Sequence, residues 1–205
     1  MALPLPRVIP DKDIQQNFDE LANQFPIQSV NIAPAGVKAT ALGTLVIPVT
    51  AAANYTISGL NGDTDIAYEF YVIGSGTGYV AQAQATIAPN GTTTNQTTLR
   101  HGNEGPTGVS HSFDAVTPAG MAFAQVHSTA YTVHARGTLG AKTGQGSYRS
   151  LLSQSTGIRN SDAYGYNYTF MSRWTETTTN ITSLVFNFGG TGTFTGTIIL
   201  RKLGY

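Results

Sequence analysis

The chain has 205 residues with 11 basic and 11 acidic side chains, so its formal net charge is zero, and no general electrostatic field draws it to nucleic acid or to an anionic membrane. It has no cysteine, which excludes a disulfide framework and a thiolate metal site, so stability must come from a core, from assembly, or from both. Charged residues make up only 11% of the chain, where an average soluble domain has roughly 25%, and 23 glycines with abundant threonine take their place.

Residues 1–10, "MALPLPRVIP", read as an extended arm, because proline fixes φ and pushes its predecessor out of the helical region. Leu3, Leu5, Val8 and Ile9 make this arm an anchor that wants a partner surface, unless it is simply a loose terminus. Neither a signal-peptide core nor the ~18 apolar residues of a membrane span occurs, so synthesis in a cytoplasm and release by lysis are expected.

Asp11 to Gln24 is predicted as the one α-helix: Asp11 caps it, Asp13 suits its first turn, and Pro26 stops it. Ile14, Phe18, Leu21 and Phe25 form a narrow apolar seam. That seam either packs on the protein's own sheet or forms a short bundle about an oligomer axis. Residues 27–43 read as a linker, which leaves 1–26 as an anchoring and oligomerising segment and 44–205 as the main domain.

From Thr44 onward the pattern is β. Strands are predicted over Thr44–Val49, Tyr55–Leu60, Ala67–Ile73, Val80–Ile87, Thr97–His101, Met121–Val126, Tyr131–Gly137, Tyr148–Gln154 and Tyr164–Met171. His101–Pro118 lacks periodicity and reads as a long loop. Near the end, Leu184, Phe186 and Phe188 alternate with Ser183, Val185 and Asn187, and Gly189-Gly190-Thr191-Gly192 separates them from the apolar run Thr197–Leu203, which predicts a closing β-hairpin. The whole is mainly β: an antiparallel β-sandwich preceded by a short arm and one helix.

The closing stretch "WTETTTNITSLVFNFGGTGTFTGTIILRKL" resembles the end of jelly-roll domains in virion proteins of tailed bacteriophages, and "LNGDTDIAYEFYVIG" and "SYRSLLSQS" fit the same pattern. The resemblance implies a jelly roll in a virion structural protein. It also tilts the helical seam toward a homotrimer, the usual state of phage fibre and decoration proteins.

Several residue groups could carry chemistry. His101, Glu104, His111 and Asp114 share one predicted loop and could bind a metal or act as acid and base, but their spacing fits no metal or catalytic signature. His127 and His134 read as ordinary sheet residues, and no Gly-x-Ser-x-Gly, His-Glu-x-x-His or phosphate loop is present. Asn61-Gly62-Asp63-Thr64-Asp65 reads as a tight turn rather than a calcium loop, since the remaining ligands are missing. Tyr164, Tyr166, Tyr168 and Phe170 alternate along one strand face; that face is either core or, with Trp174, an aromatic platform for a sugar or a partner side chain. Asn54, Asn90, Asn95, Asn167 and Asn180 each begin an Asn-x-Thr triplet, read as incidental to a threonine-rich chain.

The expectation is a non-enzymatic virion protein without catalytic residue, metal or cofactor, working by adhesion. The leading role is a tail-associated short fibre or receptor-binding component that contacts host-surface glycan. The runner-up is a capsid decoration or head-fibre protein docked on the major capsid protein, and a glycan-degrading enzyme comes third.

Overall fold

The structure, a computed structural model, describes residues 38–40, 43–77, 83–105, 109–116, 119–126, 130–159, 164–189 and 192–203. The arm residues Leu3, Leu5, Val8 and Ile9 and the seam Ile14, Phe18, Leu21 and Phe25 lie outside these, as does His127.

The described residues form thirteen strands and no helix. In chain order they are β1 (Lys38–Thr40), β2 (Thr44–Ala52), β3 (Asn54–Ser58), β4 (Ala67–Thr77), β5 (Gln84–Pro89), β6 (Gln96–Glu104), β7 (Val109–Val116), β8 (Met121–Gln125), β9 (Tyr131–Gly140), β10 (Arg149–Arg159), β11 (Tyr164–Trp174), β12 (Ser183–Asn187) and β13 (Thr193–Leu203). They build a nine-stranded sheet in the order β1-β2-β13-β4-β9-β10-β11-β6-β7 and a four-stranded sheet in the order β3-β12-β5-β8, with every pairing antiparallel. The chain alternates between the sheets. It breaks that rhythm three times, where β1–β2, β6–β7 and β9–β10–β11 stay in the larger sheet, and the hairpins β6–β7 and β10–β11 widen it.

The two sheets pack face to face. Alternation along each strand supplies the core: Leu45, Ile47 and Val49 of β2, Phe70 and Val72 of β4, and Ile198 and Leu200 of β13 meet Ile57, Ile87, Phe123, Leu184 and Phe186 from the smaller sheet. Phe70, Phe123 and Phe186, from three strands in two sheets, pack edge to face at centroid distances of 5.5, 5.9 and 5.8 Å.

Three sequence expectations need correction. First, β12 and β13 are not a hairpin: β12 pairs with β3 and β5, while β13 pairs with β2 and β4. Phe188, just after β12, and Phe194, in β13, stack at 4.2 Å. Second, most of the predicted loop 101–118 is paired backbone, because β6 runs on to Glu104 and Val109–Val116 returns beside it as β7. Third, the predicted linker 27–43 contains β1, which pairs with β2.

The extension that the two hairpins create solves a problem for the smaller sheet. β8 is its edge strand, and an edge leaves a row of backbone donors and acceptors unpaired. Ser172 donates to the Ala122 carbonyl at 3.1 Å, Ser153 donates to the Phe123 carbonyl at 3.0 Å, and Thr98 accepts from the Ala122 amide at 3.3 Å. These hydroxyls lie on the inner face of β11, β10 and β6, and all three residues are buried. Small polar residues stand where an apolar side chain would otherwise be expected because β8 sits edge-on against them.

Candidate binding face

Among the described residues, most exposed large apolar side chains lie on the outer face of the larger sheet. Tyr71 and Ile73 of β4, Leu152 and Ile158 of β10, Met171 of β11 and Leu99 of β6 all point outward there. Exposed apolar side chains held on a rigid sheet are candidate contact groups.

Strand register shows how they are organised. Glu69, Thr138 and Leu152 align across β4, β9 and β10, and Tyr71, Arg136 and Gln154 align one pleat further on. Between the two rows pass Phe70, Gly137 and Ser153, whose side chains or Cβ directions turn inward. The result is a groove of ≈ 240 Å³ running across three strands, with those rows as its walls. Strands spaced ~4.8 Å apart and rows two residues apart give a trough roughly 10 Å long and 7 Å wide, the scale of one sugar ring or of an extended chain.

Its polar groups are held in place. Arg136 donates from Nε at 3.3 Å and Nη2 at 2.9 Å to Gln154 Oε1, which leaves its remaining N–H groups and the Gln154 amide as donors on the groove. Glu69 is braced by Arg201 at 3.7 Å and supplies the acceptor. Tyr71 is 44% exposed and Leu152 56%, which provides an aromatic face and an aliphatic wall. Such a set can grip a flat, polyhydroxylated ring: its C–H face on the tyrosine, its hydroxyls on the guanidinium, amide and carboxylate.

The aromatic strand lies elsewhere. Tyr166, Tyr168 and Trp174 are only 5%, 1% and 2% exposed, so they lack the open ring face that a stacking platform needs, and Phe170 is fully buried beside them. Tyr164 opens β11. Tyr166 donates to the Thr132 carbonyl at 2.8 Å and Tyr168 to Glu104 at 2.9 Å. Burial, reinforced by the nearby Glu104 carboxylate, pushes the Tyr166 phenol well above its ordinary pKa. Of the two readings of this strand, burial fits the core.

Of the suspected acid–base group, His101 and Glu104 do not converge. His101 is exposed on the outer face of β6, whereas Glu104 turns inward to Tyr168. His111 and Asp114 lie on β7, in register with Gly102 and Arg100. No cluster of three or more His, Asp or Glu that could hold a metal occurs among the described residues. His134 stands exposed on β9, as an ordinary outward sheet position. Asn61 closes the predicted turn: its side chain accepts from the Asp63 amide at 3.1 Å and its carbonyl from the Asp65 amide at 2.8 Å. Asn90 is a clamp rather than an incidental residue, since its side chain accepts from the Thr182 and Ser183 amides and donates to the Asn180 carbonyl.

The groove residues were missed because each strand was read for its buried face. Their signal was nevertheless present: Tyr68–Ile73 is apolar at Tyr71 and Ile73 as well as at Phe70 and Val72, so both faces of β4 carry apolar groups. No described helix is long and apolar enough to cross a membrane. No protein-family model and no curated protein sequence matches the chain.

Proposed function

We propose that this chain is a non-catalytic structural protein of a tailed-phage virion, a jelly roll displayed outward that attaches to host-surface glycan as a tail-associated receptor-binding component. What supports the fold half of this reading is strand order. With β1 and the hairpins β6–β7 and β10–β11 set aside, β2-β13-β4-β9 faces β3-β12-β5-β8, the arrangement of an eight-stranded double Greek key. The observation that carries the attachment half is the transverse groove, with Tyr71 beside the braced Arg136, Gln154 and Glu69.

The full chain on an array of bacterial surface glycans should bind a subset of them. Tyr71→Ala should weaken that binding at least tenfold, about 1.4 kcal/mol, while leaving the melting temperature unchanged. Absence of binding by the wild type, or equal binding by the variant, would overturn the attachment reading. Gold-labelled antibody should mark the tail tip of intact particles; label spread over the head would replace the tail role by capsid decoration.

A further inference from the structure

A second polar site lies at one end of the sandwich, away from the groove. The turn at Asn61–Asp65, the segment 141–148 and the segment 175–182 meet there and are sewn together by backbone bonds from Gly62 to Ile181, Thr143 to Gly62 and Gly144 to Thr177. Arg149 opens β10 underneath them and is 3% exposed. Its guanidinium sits over the ring of Trp174, its cross-strand neighbour, at 5.1 Å.

The donors here outnumber their acceptors. Arg149 Nη2 donates to Thr143 Oγ1 at 3.1 Å, but Arg149 Nε and Nη1 and the indole Nε1 of Trp174 find no acceptor among the described residues. Buried donors of this kind are normally met. The carboxylates of Glu176 and Asp63 favour the cation, yet burial outweighs them and lowers the Arg149 pKa. Glu176 is also already engaged, with the Thr178 amide and hydroxyl and the Thr179 amide on one oxygen, which pulls its own pKa down to about 2. Arg149 further lines an open depression of ≈ 230 Å³, together with Lys142, Gln145, Ser147, Tyr148 and Ser150. The buried Arg149 thus borders a depression whose rim is rich in donors.

We propose that this end of the sandwich binds a small oxyanion, received by the free N–H groups of Arg149 and by the indole N–H of Trp174. An oxyanion supplies several acceptor lone pairs and a charge opposite to the buried cation, which is what these buried donors lack. The proposal is independent of the glycan groove.

Trp174 is the single tryptophan of the chain, so its fluorescence reports on the site directly. The full chain should be titrated with acetate, and separately with inorganic phosphate, with sodium chloride holding ionic strength constant. A saturable change in Trp174 emission with either probe, accompanied by a rise in melting temperature, is expected. Which probe saturates tells a carboxylate site from a phosphoryl site. Arg149→Lys should abolish saturation. Lys142→Gln, a milder change at the rim, should weaken binding severalfold with the fold intact. If neither oxyanion gives saturation beyond the chloride control in the wild-type chain, the inference is overturned.

Discussion

Aromatic rings covering glycines recur through the larger sheet. Tyr168 lies against Gly102, Tyr166 against Gly157, Tyr131 against Gly76 and Phe70 against Gly137, each ring occupying the space that a Cβ would need. A ring so placed is shielded from water and fixes the register of its pair, because sliding by one residue would drive it into a side chain. At Gly102 a methyl group would meet both the Tyr168 ring and the Asn167 carbonyl, and the carbonyl cannot yield. Gly102→Ala should therefore cost about 1–3 kcal/mol in urea denaturation, far above an ordinary surface change. The alternation of Tyr164, Tyr166, Tyr168 and Phe170 was legible in the sequence, but their glycine partners lie on other strands and could not be found by scanning along one.

Buried tyrosines also make stability depend on alkaline pH. Tyr166 and Tyr68 both have phenols raised above the ordinary value of 10.0, chiefly by burial, with Asp65 adding to the effect at Tyr68. In the unfolded chain they ionise near 10, whereas in the folded chain they stay protonated, so folding binds protons in this range. Their stabilising effect is complete below pH 10 and falls away as pH rises above it. Tyr166→Phe should flatten the decline between pH 10 and 12 in thermal melts, at a cost near neutrality of about 1 kcal/mol for the lost bond to Thr132.

At the scale of elements, strands were easy to recognise from the sequence and their partners were not. β2, β8 and β9 begin where the alternation of apolar and polar residues said they would. β12 and β13 were also located, yet paired wrongly with each other. Inward-facing Leu184 and Phe186 on one strand and Ile198 and Leu200 on the other satisfy a hairpin and a crossing between two sheets equally well. Which of these wins depends on β2, β3, β4 and β5, all more than ninety residues away for β12 and β13 alike. β7 escaped notice because "VSHSFDAV" shares its polar composition with a loop, and its partner β6 supplies the order. The buried hydroxyls on β6, β10 and β11 make the element-level argument testable. Ser172→Ala leaves the Ala122 carbonyl at the β8 edge without its donor, and Thr98 without its 2.7 Å partner. A loss of about 1–3 kcal/mol is expected, with faster amide exchange concentrated in β8; exchange spread evenly over both sheets would show that the edge is not held by these groups.

For the whole molecule, the larger sheet presents one broad outer face, and the proposed attachment depends on how many copies present it together. A single shallow groove binds weakly, while three grooves on one particle component bind in concert. Of the two readings of the helical seam, the bundle about an oligomer axis, which the resemblance to phage proteins tilts toward a homotrimer, predicts that state. Phe18→Asp should convert trimers into monomers in light scattering and lower glycan avidity by far more than it lowers the affinity of a single groove. An unchanged oligomer would remove the seam from the assembly.

The place of β13 between β2 and β4 has a further consequence, for biosynthesis. During translation the larger sheet has a gap between β2 and β4, since both have emerged but the strand that joins them is made last of the thirteen. Until β13 is available, β2 and β4 each keep one edge of unpaired backbone donors and acceptors, and nascent chains must be kept apart. Chains aborted before β13 cannot settle into a near-native form. They are expected to be degraded faster than the full chain in limited proteolysis.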